Sequence, residues 1–138
     1  MPDTRTDFGA RVARRLREEP VIWLTTVGAD GTPQPNPVWF LWDGQRFLIY
    51  SRADATRLAH IRVRPRVSLH FNSDDHGDDI VIFSGDAELV EGVPPADQHA
   101  EYMAKYQRRM VRVSGTTQDF AAQYPVTIHV TPTKARGF

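Results

Sequence analysis

Residues 33–42 read Pro33-Gln34-Pro35-Asn36-Pro37-Val38-Trp39-Phe40-Leu41-Trp42, and this stretch decides the fold. Three prolines alternate with polar residues and then give way to an apolar, aromatic run. Proline has no N–H to offer a sheet ladder, so each one marks a strand edge or a bulge. The segment therefore begins as an exposed edge and ends as a buried strand. An edge whose backbone groups are not all taken by a neighbouring strand can hold a flat polar ring, which points to a cofactor groove.

Working outward, Val21–Val27 is rich in β-branched and aromatic residues and predicts a strand, turned by Ala29-Asp30-Gly31 into the proline-studded one. Asp43-Gly44 is a second tight turn leading to a strand over Arg46–Tyr50, so three strands form an antiparallel meander. Upstream, Phe8, Val12 and Leu16 recur every four residues in an amphipathic helix closed by Pro20. Pairs Arg14–Glu18 and Arg15–Glu19 support it, and its arginines read as a solvated face. Downstream, Asp54 is expected to cap a helix over Ala55–Val63, followed by a strand over Val67–Phe71. A polar loop spans Asn72–Asp79, and a strand over Ile80–Val90 carries a bulge at Gly85. Pro94-Pro95 opens a helix with Ala96, Ala100, Met103 and Tyr106 on its apolar side, and Thr116 and Asp119 start a shorter one. A sixth strand, Val126–Thr131, precedes Pro132. The fold class is mainly β with α: about six antiparallel strands and three to four helices, closed into a small barrel that removes exposed edges.

Composition narrows the chemistry. The 138 residues fit one domain, 1–138, and 17 basic residues balance 17 acidic ones, so no net field argues for a nucleic acid or an anionic membrane. There is no cysteine, which excludes disulfides and thiolate chemistry and agrees with a reducing compartment. The first residues carry acids and no apolar core, so no signal peptide is expected, and no run approaches a membrane span. The expectation is a soluble, cytoplasmic protein.

The second constellation is Tyr50-Ser51-Arg52-Ala53-Asp54-Ala55-Thr56-Arg57, where a strand ends and a helix begins. Free N–H groups and partial positive charge at a helix start attract anions. Hydroxyls from Ser51 and Thr56 and guanidinium groups from Arg52 and Arg57 add donors suited to phosphate. The acidic cluster Asp74, Asp75, His76, Asp78 and Asp79 lacks calcium-loop spacing and reads as a solvated loop, so no metal site is expected. His70 and His129 read as structural histidines on strands. With no nucleophile elbow, Walker loop or general-base dyad, no catalytic side chain is expected, and hard chemistry falls to a bound cofactor. His70 is the first suspect should a proton donor be needed.

The order Asp30-Gly31-Thr32-Pro33, Pro37-Val38-Trp39-Phe40, Asp43-Gly44, Tyr50-Ser51, Thr56-Arg57 and Arg64-Pro65-Arg66-Val67 resembles the pyridoxamine-phosphate-oxidase-like, FMN-binding split β-barrel family. The ending Pro132-Thr133-Lys134-Ala135-Arg136-Gly137-Phe138 is most similar to its actinobacterial deazaflavin (coenzyme F420)-dependent branch. The resemblance implies a homodimer with the cofactor groove at the interface. It places the ring against Asn36, Pro37, Val38, Trp39 and Phe40, and the phosphate at Tyr50, Ser51, Arg52, Thr56 and Arg57. Relatives often carry lysine in place of Arg57 and tryptophan in place of Phe138. The implied activity is hydride transfer from reduced F420 to a small conjugated electrophile. Its rivals are an FMN-dependent oxidase or reductase on the same fold and a non-catalytic cofactor carrier.

Overall fold

The computed structural model describes all 138 residues. Helix α1 (Asp7–Glu18) starts where the Thr6 hydroxyl accepts the Gly9 N–H at 3.0 Å, and it ends just before Pro20. Strand β1 (Ile22–Val27) alternates buried and half-buried residues and pairs antiparallel with β2 (Pro33–Val38), from Ile22 opposite Val38 to Val27 opposite Pro33.

The prolines fix which way β2 faces. In an antiparallel pair, alternate residues direct both N–H and C=O at the neighbour. Pro33, Pro35 and Pro37 lack the N–H, so the bonded pairs must be Ile22–Val38, Leu24–Asn36 and Thr26–Gln34. The outer edge of β2 therefore offers three proline carbonyls and no N–H. It accepts hydrogen bonds and cannot donate them.

The expected strand over residues 33–42 is broken at Trp39-Phe40. Leu41–Trp42 forms a separate strand, β3, paired with β4 (Phe47–Ser51). The remaining elements are α2 (Thr56–Val63), β5 (Arg66–His70), β6 (Val81–Val90), a short 3₁₀ turn at Ala96–Gln98, α3 (Ala100–Ser114), α4 (Thr117–Gln123) and β7 (Val126–Gly137). The single antiparallel sheet runs β2-β1-β5-β6-β7-β4-β3, seven strands against the six expected. The meander is accordingly corrected: β4 lies against β7, and β2 and β3 stand at opposite edges although only two residues separate them. Three Cα steps reach about 11 Å, so the sheet must curl until its edges nearly meet. That curl makes the split barrel.

The expected bulge is present. Between β6 and β7 the register shifts at Ser84/Gly85, and a Cβ on Gly85 would stand 2.7 Å from the Thr131 carbonyl oxygen. The bulge also lets β7 run on through Pro132 to Gly137, well past the predicted end at Thr131.

Two apolar clusters result. One fills the barrel with residues such as Val12, Ile22, Phe40, Phe47, Ile49, Phe83 and Ile128. The other lies outside the sheet, where Leu41, Leu48 and Tyr50 meet Tyr102, Tyr106, Met110 and Phe120. Strand β4 is buried along its whole length because it serves both.

Three local expectations change. The inward stripe of α3 is Tyr102, Tyr106 and Met110, while Ala100 is exposed and Met103 only half-buried. The α1 arginines are not all solvated. Arg15 is 7% exposed, pairs with Glu19 at 3.1 Å, donates to the carbonyls of Asp79 and Asn72 at 2.8 Å, and lies 4.8 Å over the Phe71 ring. Arg14–Glu18 forms no ion pair, whereas Arg11 binds Asp79 and the Phe138 carbonyl, both at 2.8 Å. The cap expected of Asp54 is also absent: α2 starts from Ala55 without a side-chain cap, and the Asp54 carboxylate turns to Arg52 at 3.4 Å.

Candidate functional site

Curling brings the Pro37 end of β2, the end of β4 and the start of α2 to one mouth, and α3 and α4 close its far side. The cavity of about 370 Å³ is lined by Pro37, Val38, Trp39, Tyr50, Arg52, Asp54, Ala55, Arg57, Tyr102, Val113, Phe120 and Tyr124. A larger, more open groove of about 730 Å³ around Met1, Phe8 and Trp42 has Lys134 as its only charged side chain. Chemistry, not volume, favours the smaller cavity.

Its mouth is cationic. Arg57 is half-buried, and its one protein hydrogen bond is donated to the Ser51 hydroxyl at 3.2 Å. No carboxylate lies within ion-pair distance of it; Asp54 pairs with Arg52 instead. Burial holds the Arg57 pKa below its usual value, with the nearby Tyr124 opposing. A partly desolvated guanidinium without a counter-ion is a ready seat for an anion. Ser51 is fully buried and passes its own proton to the Arg52 carbonyl at 3.1 Å, which leaves its oxygen to orient Arg57.

The far wall is aromatic. Tyr106, Trp39, Phe120 and Tyr124 form a near-parallel column, with successive ring centroids 4.9, 5.2 and 4.4 Å apart. The Arg52 guanidinium continues it, 5.8 Å from the Tyr124 ring. Behind Trp39, α3 holds the strand crossing: Tyr106 Oη accepts the Phe40 N–H at 2.9 Å, and Lys105 Nζ donates to the Phe40 carbonyl at 2.9 Å.

Of the ten residues expected from sequence, Pro37, Val38, Trp39, Tyr50, Arg52 and Arg57 line this cavity, and Ser51 supports it through Arg57. Phe40 points into the barrel core, Asn36 is half-buried on β2, and Thr56 is exposed outside the lining. Sequence reasoning missed Tyr102, Val113, Phe120 and Tyr124. The 102/106/110 spacing was the available signal for the first, but nothing local tells that α3 and α4 pack on β4 and Trp39. His70 stands elsewhere, stacked on Trp23 at 6.3 Å with its Nδ1–H directed at the Phe71 carbonyl. His129 is half-buried on β7, and its Nδ1 and the nearby Arg46 Nε are both buried without partners. In the acidic loop, Asp74 accepts the N–H groups of His76 and Asp78, both at 2.9 Å. No group of three or more potential ligands is gathered around a metal position.

A flavin-type cofactor needs an anion seat, a flat apolar bed and acceptors for a ring N–H. Arg57 with Ser51, the Val38–Trp39 wall and the donor-free edge at Pro37 supply these, so the residues fit such a group. The model of the pyridoxamine 5'-phosphate oxidase family matches residues 8–137. The chain belongs to this family. Among solved pyridoxamine 5'-phosphate oxidase-like folds, an F420 reductase is 26% identical, covering 89% of this chain and 94% of its own, with a TM-score of 0.67. The heme storage protein HutZ of Vibrio cholerae is 15% identical with a TM-score of 0.70, over 96% of this chain and 95% of its own. General stress protein 26 of Bacillus anthracis is 15% identical with a TM-score of 0.67, over 91% and 89%. The latter two show the fold alone. No curated protein matches the chain in sequence. No helix is long and apolar enough to cross a membrane.

Proposed function

We propose that this chain is a deazaflavin (coenzyme F420)-dependent reductase that delivers hydride to a small conjugated electrophile. The observation that carries the reading is Arg57: half-buried, bonded to Ser51, facing the cavity and without a carboxylate partner. In this reading Arg57 and Arg52 bind the cofactor phosphate, Ser51 orients Arg57, and the Pro37 carbonyl accepts from a ring N–H. Trp39 and the α3–α4 wall exclude water. When bound, the cofactor supplies the hydride, so the side chains need only bind, orient and shield. Deazaflavin is preferred over flavin because of the likeness to the F420 reductase at 26% identity. Flavin mononucleotide is the second reading, favoured by the family's name, and it would use the same anion seat.

The functional unit in this reading is a homodimer. The cavity mouth and the outer edge of β2 face solvent, so a second copy has surface to cover beside the site. Titration of the apo-protein with oxidised F420 and with FMN, followed by fluorescence, tests the reading. Saturable F420 binding tighter than FMN supports it, FMN alone supports the rival, and binding of neither refutes both. Turnover of an enone with reduced F420 then separates reductase from carrier.

A further inference from the structure

Tyr102 packs between Tyr50, with which it lines the cavity, and Tyr106 behind it. The Tyr102 ring meets Tyr50 edge-on and Tyr106 at a tilt, both with centroids 4.7 Å apart. A buried phenol normally spends its O–H on a protein acceptor. Tyr50 donates to the Pro94 carbonyl at 2.6 Å, and the Tyr106 hydroxyl is engaged with Phe40 and Pro20. Tyr102 differs. The residue is 1% exposed, yet its hydroxyl bonds to no protein group, and that oxygen is not sealed among the buried unpartnered atoms. What little of the residue is accessible opens onto the cavity it lines.

Its surroundings define what could accept from it. Among the other lining residues Val38, Trp39 and Phe120 are apolar, whereas the charged groups Arg52, Asp54 and Arg57 all belong to the α2 mouth. Burial, reinforced by Tyr106, Tyr50 and Tyr124, raises the Tyr102 pKa, so the group remains a neutral donor. Tyr50 has spent its O–H on Pro94 and Tyr124 stands by Arg57, so the Tyr102 O–H is the cavity's free donor in a flat apolar setting. A charged ligand would be desolvated there without compensation, and a hydrocarbon would leave the donor unpaired.

We propose that the Tyr102 hydroxyl donates to a carbonyl-type oxygen of a planar, uncharged ligand, and that this ligand is the electron acceptor of the reaction. Tyr102 is then the positioning residue that selects the acceptor, and its hydrogen bond strengthens as negative charge gathers on that oxygen. The inference rests on the reading of the cavity given above.

Indanone and indane share one frame and differ by a carbonyl oxygen, so they isolate the hydrogen bond. Calorimetric titrations use wild type and Tyr102→Phe, each with and without saturating cofactor. Wild type should prefer indanone by about tenfold, the usual worth of one net hydrogen bond. Tyr102→Phe should lose that preference while indane binding and the melting temperature stay level. The Tyr102 resonance of protein labelled with [¹³Cζ]tyrosine should shift on adding indanone and not on adding indane. Equal weakening of both ligands would reduce Tyr102 to a piece of wall and overturn the proposal. So would an unchanged preference, or failure of both to bind wild type. Competition between indanone and the cofactor would overturn it too, assigning the donor to the cofactor's own carbonyl. Cofactor binding to wild type, read in the same series, judges the cavity reading separately.

Discussion

Tyr106→Phe removes one oxygen and tests how the strand crossing is held. The hydroxyl accepts the Phe40 N–H at 2.9 Å and lies 2.7 Å from the Pro20 carbonyl and 2.9 Å from that of Phe40. Lys105 Nζ already serves the Phe40 carbonyl, so the single tyrosine proton goes to Pro20. Phe40 is fully buried, and its N–H in the variant has no other partner. The donated bond is worth about 1 kcal/mol net, and the orphaned N–H costs about 1–3 kcal/mol, for a loss of about 2–4 kcal/mol. For a domain of this size that is a fall of about 10 °C in Tm. The ring survives, so the stack on Trp39 and the shape of the second core are retained. Urea melts should show a lower midpoint with an unchanged slope, since the surface buried does not change. A loss below about 0.5 kcal/mol would refute the reasoning, because it would mean that water or a shifted backbone meets the Phe40 N–H at no cost. Tyr102→Phe is the matched control: the same chemical change in a hydroxyl with no protein partner should leave stability level.

Other outcomes follow from the same geometry. Arg57→Gln should weaken cofactor binding by about 1.5–3 kcal/mol at low salt while leaving the urea midpoint nearly unchanged, since no carboxylate is left unpaired; an unaltered dissociation constant removes Arg57 from the site. Arg15→Met should cost about 2–4 kcal/mol and speed amide exchange across residues 72–79, because the carbonyls of Asn72 and Asp79 lose their donor; exchange unchanged in that loop would contradict the anchor. Lys105 has its pKa lowered to about 8, first by burial and then by Arg109, with Glu19 opposing. Against about 10.4 when unfolded, the folded state binds fewer protons between those values, so stability should rise with pH across roughly 8–10.4. Lys105→Met should lack that rise, and parallel pH profiles for the two proteins would show that the lysine is not held as described.

The edge strand was legible because proline chemistry is local. Three missing N–H groups dictate which residues pair with β1 whatever the rest of the chain does. The bulge at Gly85, the loss of helix at Pro20 and the gathering of Ser51, Arg52 and Arg57 at one turn were readable for the same reason. What could not be read is what depends on curl. The break at Trp39-Phe40 exists because a flat strand of ten residues cannot belong to both edges of one rolled sheet, and no local propensity reports that. Arg15 looked like one more solvated arginine because its three acceptors lie at Glu19, Asn72 and Asp79, two of them far along the chain. Likewise, the aromatic wall of the cavity is completed by helices some sixty to eighty residues from Trp39, the ring they stack on.

The cavity is also where the chain stops satisfying its own groups. Elsewhere most polar atoms are consumed, Arg46 Nε and His129 Nδ1 being the buried exceptions: Asp74 and Asp79 in their loop, Tyr106 and Lys105 at Phe40, Arg15 under Phe71. Around one opening, three kinds of hydrogen-bonding capacity are left over: the Pro37 carbonyl, the Arg57 guanidinium and the Tyr102 hydroxyl. The last two cost the unliganded fold something, as a half-buried cation without a counter-ion and a buried donor without an acceptor. A single oblong ligand could meet the first two, since they share the β2–α2 side. The third lies on the helical wall among apolar side chains and calls for a partner of different chemistry. Two unlike demands on facing walls are what a site needs if it is to hold a polar, anionic cofactor and a flat neutral acceptor against one another.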